Sequence, residues 1–335
     1  MTTRPSEPGV WAGIVGQPGA VALLQRAIAL DRPAHAYAFV GPAGVGRRLT
    51  AVAFAQALLC PTRGCGTCGV CRRVAAGQYP DCQLIVPIPP RENPKGALAI
   101  RIEQVRELER VAALAPLEGS RKVFIVDETE RMTLPTAQAL LKTLEEPPAR
   151  THLVLILANP RALPPTVLSR CQRVRFRPLD DADAVRLLEG GGVAADVSGL
   201  LARLTEGRPG LALATDLDAL RGRREAALAL AAEPAARIAS ALDGTPTDRA
   251  TVAAYLELYW SWYRDALCLA AGGPATLLVH ADQEPALRAL AARTPALALV
   301  AALGRVKAAW VALEGNINPR LALETALLGL GQAAA

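Results

Sequence analysis

Long apolar runs, charge of one sign and aromatic side chains are all scarce in this 335-residue sequence. The richest apolar stretch, Ala286 to Leu303, is broken by Arg288, Arg293 and Pro295. It falls short of the uninterrupted run that a bilayer span needs and reads as a buried helical hairpin. Residues 1–9 are polar and carry proline, without the apolar core of a signal peptide. Both absences make a cytoplasmic protein with no membrane partner the expectation. The formal net charge is only +6, short of an autonomous nucleic-acid-binding domain. Basic residues are scattered, and no helix-turn-helix, RNA-recognition or OB pattern is evident, which weakens a DNA-binding module as a reading. There is no repeat of fixed period and no low-complexity tract beyond alanine richness.

What is present is a globular balance, 51% hydrophobic and 20% charged. The length exceeds one ordinary core and points to two or three domains. Only 4% of residues are aromatic, while Ala and Leu dominate, and both lose little on entering a helix. Five short apolar runs punctuate the first half: Ala36–Val40, Gln83–Val86, Lys122–Val126, His152–Leu157 and Arg173–Phe176. Separated by helical or loop sequence, they predict an α/β domain whose parallel five-stranded sheet is covered on both faces. No strand is expected after Pro178. The spacing of breaks divides the chain into a nucleotide-fold domain at 1–178, a small helical lid at 179–220 and an all-helical domain at 221–335. In the last, Tyr255 to Asp265 holds five of the nine Tyr and Trp residues. Such a stripe is more often core than ligand cage, and the sequence leaves internal core and contact with another subunit both open.

Gly41-Pro-Ala-Gly44-Val-Gly46-Arg47-Arg48 follows the first strand and precedes a helical run from Leu49 to Leu59. Strand, glycine-rich turn and helix N-terminus form a phosphate-loop context in which backbone N–H groups converge on an anion. The glycine spacing is complete and the two chemical residues are not. Arg47 stands where the motif has Lys, and Arg48 where it has the Ser or Thr that ligates Mg²⁺. Thr50 cannot replace that hydroxyl, because two helical positions turn it roughly 200° away. Neither Mg·ATP turnover nor ATP binding by this chain is expected. The plainer alternative is a glycine turn that merely caps a helix.

Asp127 and Glu128 close the run Val123–Val126, at the strand end where ligands bind in a parallel sheet. They read as a metal-holding acid and a water-polarising acid, or else as residues that only favour the start of the next helix. Asn159, at the end of the fourth run, occupies a polar sensor position. Four of the seven cysteines, Cys60, Cys65, Cys68 and Cys71, lie within twelve residues. Their spacing can gather four thiolates around one tetrahedral Zn²⁺ of structural type. An iron–sulfur cluster is the chemical rival, but its fourth cysteine would follow the triplet rather than precede it. Cys82, Cys171 and Cys268 read as buried single residues.

Ile14-Val-Gly-Gln17, His35-Ala-Tyr-Ala-Phe-Val-Gly-Pro42, the cluster from Cys60 to Cys71, Leu140-Leu-Lys-Thr-Leu-Glu-Glu-Pro-Pro148, Ser169-Arg-Cys171 and Asn318-Pro-Arg-Leu-Ala-Leu-Glu324 run over most of the chain. Through them the sequence resembles the bacterial clamp-loader subunits of the AAA+ class. The resemblance implies an AAA+ P-loop domain, a lid and a helical collar domain that packs with its counterparts into a ring. It implies that Arg170 is an arginine finger offered to ATP in a neighbouring subunit; the alternative is a surface arginine capping a turn. It adds weight to zinc at Cys60, Cys65, Cys68 and Cys71, with a first gap shorter than the family's. It also puts Gly210, in Gly207-Arg-Pro-Gly-Leu-Ala-Leu213, where active loaders carry a second sensor arginine. The expected function is that of a non-hydrolysing loader subunit, no enzyme by itself, within a DNA polymerase III holoenzyme. The expected partners are the gamma/tau-type ATPases, delta, the sliding clamp and primed DNA. An ATP-hydrolysing motor subunit of the same loader is the alternative.

Overall fold

The computed structural model describes residues 9–90, 93, 97–214, 216–232, 235–243, 245, 247–314 and 317–334. The chain falls into two compact units. One takes in the chain up to Gly191 together with Glu206–Leu211; the other takes Gly192–Thr205 and everything from Ala212 onward.

In the first unit the elements follow as α1 (Pro18–Ala29), β1 (Ala36–Val40), α2 (Arg47–Leu59), α3 (Gly69–Ala75), β2 (Cys82–Ile85), α4 (Ile102–Ala112), β3 (Lys122–Val126), α5 (Leu134–Glu145), β4 (Thr151–Leu157), α6 (Pro165–Leu168), β5 (Gln172–Arg175) and α7 (Asp181–Gly190). The strands form one parallel sheet in the order β2-β3-β4-β1-β5. β3 and β4 are buried along their whole length, as strands covered on both faces must be. Alternation on β1 assigns its two faces. Tyr37 and Phe39 point to the side of Phe54, whose ring lies 5.0 Å from that of Tyr37. Ala36 and Ala38 point the other way and share a core with Leu108, Leu140 and Val167. β1 lies between β4 and β5, so the strand order reverses beside it, and the loop after β1 opens at the ligand-binding edge of the sheet.

The remaining helices are α8 (Ala195–Leu204), α9 (Pro209–Ala212), α10 (Leu217–Ala232), α11 (Ile238–Ala241), α12 (Arg249–Ala270), α13 (Glu284–Arg293), α14 (Ala296–Glu314) and α15 (Pro319–Ala334). No strand follows β5 among the described residues. α12 is the centre of the second unit. Four of its five Tyr and Trp residues, Tyr255, Tyr259, Trp262 and Tyr263, are buried core, and Trp260 points outward. Tyr259 is fully buried and donates its phenol proton to the Ala227 carbonyl at 2.6 Å, so its one polar atom is satisfied.

The hairpin expected from Ala286 to Leu303 is present as α13 and α14, but it is not buried throughout. Leu299, Ala302, Val306 and Ala309 face the core, whereas Leu297 is 83% and Val311 61% exposed. Among the described residues, Ala296–Leu313 is long and apolar enough to cross a membrane by length and composition, which corrects the expectation that no run reaches that length. Arg305 and Lys307 sit within that window, where each charge would be costly in lipid, and the inner face is part of the helical core.

A buried polar cluster ties α12 to the segment before α13. Asp265, with no accessible surface, accepts hydrogen bonds from the His280 backbone N–H at 2.8 Å and from Arg264 Nη2 at 2.9 Å. His280 Nε2 lies 2.9 Å from Ser261 Oγ, and the ring stacks edge-on to Trp262. Burial, partly opposed by Asp265, pushes the imidazole down to about 4. The folded ring therefore stays neutral while the unfolded one takes up a proton near pH 6.5. Stability of the second unit should fall as pH drops from about 6.5 to about 4, by on the order of 3 kcal/mol. Urea unfolding followed by tryptophan fluorescence at pH 7, 6 and 5 measures this, since Trp260, Trp262 and Trp310 all lie in this unit. A His280→Gln variant should lose most of that slope; an equal slope in the variant would assign the effect elsewhere.

Candidate nucleotide loop and cysteine centre

The loop from Gly41 to Gly46 joins β1 to α2 at the end of the sheet where Asp127 and Asn159 also emerge. Gly41 is required there by a close approach: a Cβ would lie 2.5 Å from the Phe176 carbonyl oxygen. Gly46 precedes α2 in the left-handed region, and Gln17 braces the loop by donating to the Val45 carbonyl at 3.3 Å and the Arg177 carbonyl at 2.7 Å. The first turn of α2 therefore presents its free N–H groups as a phosphate loop does.

Around that turn stand Arg47 and Arg48, where the phosphate-loop motif has Lys and a hydroxyl residue. Arg47 is 8% exposed, and its buried Nη1 has no hydrogen-bond partner among the described residues. Burial works against its charge, while Glu130, Asp127 and Glu128 work for it. Arg48 Nη1 lies 3.8 Å from an Asp127 carboxylate oxygen. A guanidinium thus faces the acid that would hold a metal, and no hydroxyl is offered at that position. Asp127 is largely buried, and burial pushes its carboxyl above the usual range, against the Glu128 N–H and the two arginines. Glu128 takes a left-handed conformation and pairs with Arg131. Asn159 uses its side-chain oxygen on the Arg161 N–H at 3.0 Å, capping the turn after β4.

Two acids here escaped the sequence reading. Glu130 accepts from the Ala158 N–H at 3.0 Å, which sets its carboxylate at the mouth of β4. Glu145 pairs with Arg170 Nη2 at 2.8 Å, and Arg170 Nη1 donates to the Thr166 carbonyl at 2.9 Å. Arg170 is about one-third exposed and sits between α6 and β5. Glu145 was visible within the Leu140–Pro148 motif, but only tertiary structure makes it the arginine's partner.

The cysteine centre is built where α2 ends and α3 begins. Cys60 closes α2, Cys68 caps α3, and left-handed Gly64 and Gly66 turn the chain between them. All four sulfur atoms lie within 4.8 Å of one another, with Cys60 Sγ 3.9 Å from Cys65 Sγ and 3.7 Å from Cys68 Sγ. A tetrahedron with Zn–S arms of about 2.3 Å has edges of about 3.8 Å, so the four thiols fit one zinc. Backbone N–H groups of Cys68 and Cys71 point at the sulfurs of Cys65 and Cys68, each at 3.4 Å. The N–H groups of Thr67 and Cys68 bring the Cys65 thiol down to about 5, whereas burial pushes Cys71 up. Cys82, Cys171 and Cys268 are half-buried rather than buried, a correction to the sequence reading. Cys171 has a local partner just beyond α6, since its thiol donates to the Val167 carbonyl at 3.4 Å.

A parallel five-stranded sheet with a glycine loop after β1, an acid pair after β3 and a polar residue after β4, followed by a helical region, defines an AAA+ P-loop protein. A family model described as "DNA polymerase III, delta subunit" matches residues 16–180, and one described as "DNA polymerase III, delta subunit, C terminal" matches residues 216–332. The chain belongs to this family of clamp-loader proteins. It is 35% identical over 191 residues to DNA polymerase III subunit delta' of Bacillus subtilis, covering 56% of this chain and 54% of that protein. It is 42% identical over 142 residues to subunit delta' of Pseudomonas aeruginosa, covering 41% and 42%. It is 34% identical over 184 residues to subunit tau of Escherichia coli, covering 54% of this chain and 27% of that one. The chain thus spans between about a quarter and about half the length of these relatives. A crystal structure of a DNA polymerase III, gamma subunit-related protein from Thermotoga maritima superposes on 93% of this chain and 99% of its own, with a TM-score of 0.48 and 18% identity.

Proposed function

We propose that this chain acts as the delta-prime subunit of a bacterial clamp loader: a cytoplasmic, non-hydrolysing member of the ring that helps to place the sliding clamp on primed DNA. Its partners on this reading are gamma/tau-type ATPases and delta, with the clamp and DNA reached through the complex. The observation that carries it is Arg48, which stands in place of the magnesium-binding hydroxyl and directs a guanidinium to Asp127 at 3.8 Å. An arginine cannot coordinate a cation, so Asp127 and Glu128 lack the metal they would share with a triphosphate. The loop of Gly41, Gly44, Gly46, Arg47 and Arg48 is then a remnant, and Asn159 a sensor without a signal.

The contribution to catalysis is made in trans. Arg170 supplies a guanidinium to ATP held by a neighbour, where it neutralises charge that shifts during phosphoryl transfer. Zinc held by Cys60, Cys65, Cys68 and Cys71 is structural: four protein ligands leave no open position for substrate. Residues 1–178 serve as the AAA+ domain, 179–220 as the lid and 221–335 as the collar.

The test is ATP turnover by the purified chain alone. No magnesium-dependent hydrolysis above background is expected, whereas the assembled loader should turn over. Arg47→Lys with Arg48→Thr should recover weak nucleotide binding without turnover, because Gly210 leaves the second sensor place empty. Magnesium-dependent turnover by the unmutated chain alone would overturn the reading.

A further inference from the structure

Glycine at position 210 is more than the loss of a sensor arginine. The Gly210 N–H donates a hydrogen bond to the Gly44 carbonyl at 2.9 Å, so the return segment Glu206–Leu211 lies directly on the glycine loop. Both partners must be glycine for the backbones to come this close. A Cβ on Gly210 would lie 2.9 Å from the Gly44 oxygen and 3.0 Å from its Cα. A Cβ on Gly44, whose φ is +82°, would lie 2.8 Å from Leu211 Cγ and 2.9 Å from the Leu211 nitrogen. Such close contacts with backbone atoms cannot be relieved by a side-chain rotation, so any residue larger than glycine breaks the approach.

A second glycine, earlier in the same segment, repeats the arrangement. Gly207, at φ +70°, accepts a hydrogen bond from the Leu179 N–H at 2.8 Å, and a Cβ there would lie 2.1 Å from the Leu179 oxygen. The division of the chain into units reflects the same attachment. Glu206–Leu211 groups with the sheet-bearing unit, although the chain on either side, Gly192–Thr205 and from Ala212 onward, groups with the helical one. The segment is thus held by backbone bonds at two places, the glycine loop and Leu179.

We propose that Glu206–Leu211 is a built-in ligand of the glycine loop, clasped to it through the Gly44–Gly210 pair whether or not nucleotide is present. In a loader whose other members cycle with ATP, this chain then contributes a segment whose position does not follow nucleotide state. The idea deepens the reading of a non-hydrolysing loop and shares that premise. It requires nothing of Arg170, so the two can fail separately.

Hydrogen–deuterium exchange of the full chain, read by mass spectrometry over peptides covering 206–211 and 43–48, tests the clasp. Without nucleotide the 206–211 amides should be protected, and millimolar Mg·ATP or Mg·ADP should leave the pattern unchanged. Gly210→Ala and Gly210→Arg should each speed exchange at 206–211 by roughly 2- to 10-fold, the range expected when a backbone hydrogen bond is lost. Bound zinc and far-ultraviolet circular dichroism, unchanged in the same samples, show that the variants remain folded. Gly222→Ala, at a helical glycine with nothing within 4 Å of the added methyl, serves as the silent control. Free exchange of 206–211 in the unmutated chain, protection that appears only with nucleotide, or unaltered protection in both Gly210 variants would each overturn the proposal.

Discussion

Arg170→Ala is expected to leave this chain folded and able to join the loader, and to lower the clamp- and DNA-stimulated ATP turnover of the assembled complex. Fingers of this kind are worth roughly 10³ to 10⁵ in rate at the site they serve. The fall for the whole ring will be smaller if its sites fire independently and near complete if firing is concerted. The structure bears on whether the arginine is available. It is held at home by Glu145 at 2.8 Å, and that pair is half-exposed. Exposed ion pairs of this sort are worth about 0.2–1 kcal/mol, little against the attraction of a triphosphate in a closed interface. Glu145 thus acts as a rest for the side chain, and releasing it costs little.

That arrangement gives the experiment its controls. Arg170→Lys should rescue little, because an ammonium cannot reproduce the planar fork. Glu145→Gln removes the resting partner and keeps the finger, so turnover should be close to that of the unmutated complex. The comparison requires equal occupancy of the variant in the reconstituted loader, checked by the stoichiometry of the purified complex. Equal turnover by the unmutated and the Arg170→Ala complexes would reduce Arg170 to a turn-capping residue, held by the Thr166 carbonyl and Glu145.

Much of the sheet was legible because its strands are short apolar runs bounded by turns. Five boundaries moved: β2 and β5 end one residue early, at Ile85 and Arg175, and three strands start one residue early for a reason lying outside the runs. Cys82, Thr151 and Gln172 each begin a strand one residue earlier than their own polarity predicts, because each pairs with a neighbour, Val123, Lys122 and Tyr37 respectively. Pairing register is a property of two strands, and hydrophobicity reads one. The apolar α13–α14 hairpin shows the converse. Composition alone assigned Ala286 to Leu303 to the interior, yet Leu297 and Val300 lie outside, since hydrophobic residues are not obliged to be buried.

The candidate site divides in the same way. The glycine loop, Asp127, Asn159 and the cysteine cluster are local patterns, and each fell at the end of the element that the pattern required. What escaped notice depends on contacts between distant parts of the chain. Glu130 meets Ala158, Glu145 meets Arg170, and Gly210 meets Gly44 across a separation that no local spacing encodes. Gly210 looked like a deletion from a motif, and in the fold it is the one residue type that permits the backbone to dock.

Reduced, freshly purified protein is expected to carry about one zinc per chain, and removing it should be among the most costly changes available to the first unit. The four thiols cannot ionise together unaided. Burial pushes the Cys71 thiol up while backbone N–H groups bring Cys65 down to about 5, so without a cation the cluster mixes thiol and thiolate with all four sulfurs within 4.8 Å of one another. A divalent metal displaces the remaining protons and turns that crowding into coordination. The closed loop joins the end of α2 to the start of α3, and α2 carries the glycine loop at its other end. A strong chelator, or Cys65→Ser or Cys68→Ser, should therefore destabilise the sheet-bearing unit by several kcal/mol, lowering its melting temperature by roughly 10 °C. The His280-dependent behaviour of the helical unit should be untouched, because no residue of the cluster belongs to it. Elemental analysis with thermal melts of the zinc-bound, chelated and Cys68→Ser proteins measures the effect. Freshly purified protein without zinc, a visible iron–sulfur absorption band, or identical melting of all three samples would show that these cysteines hold no structural zinc.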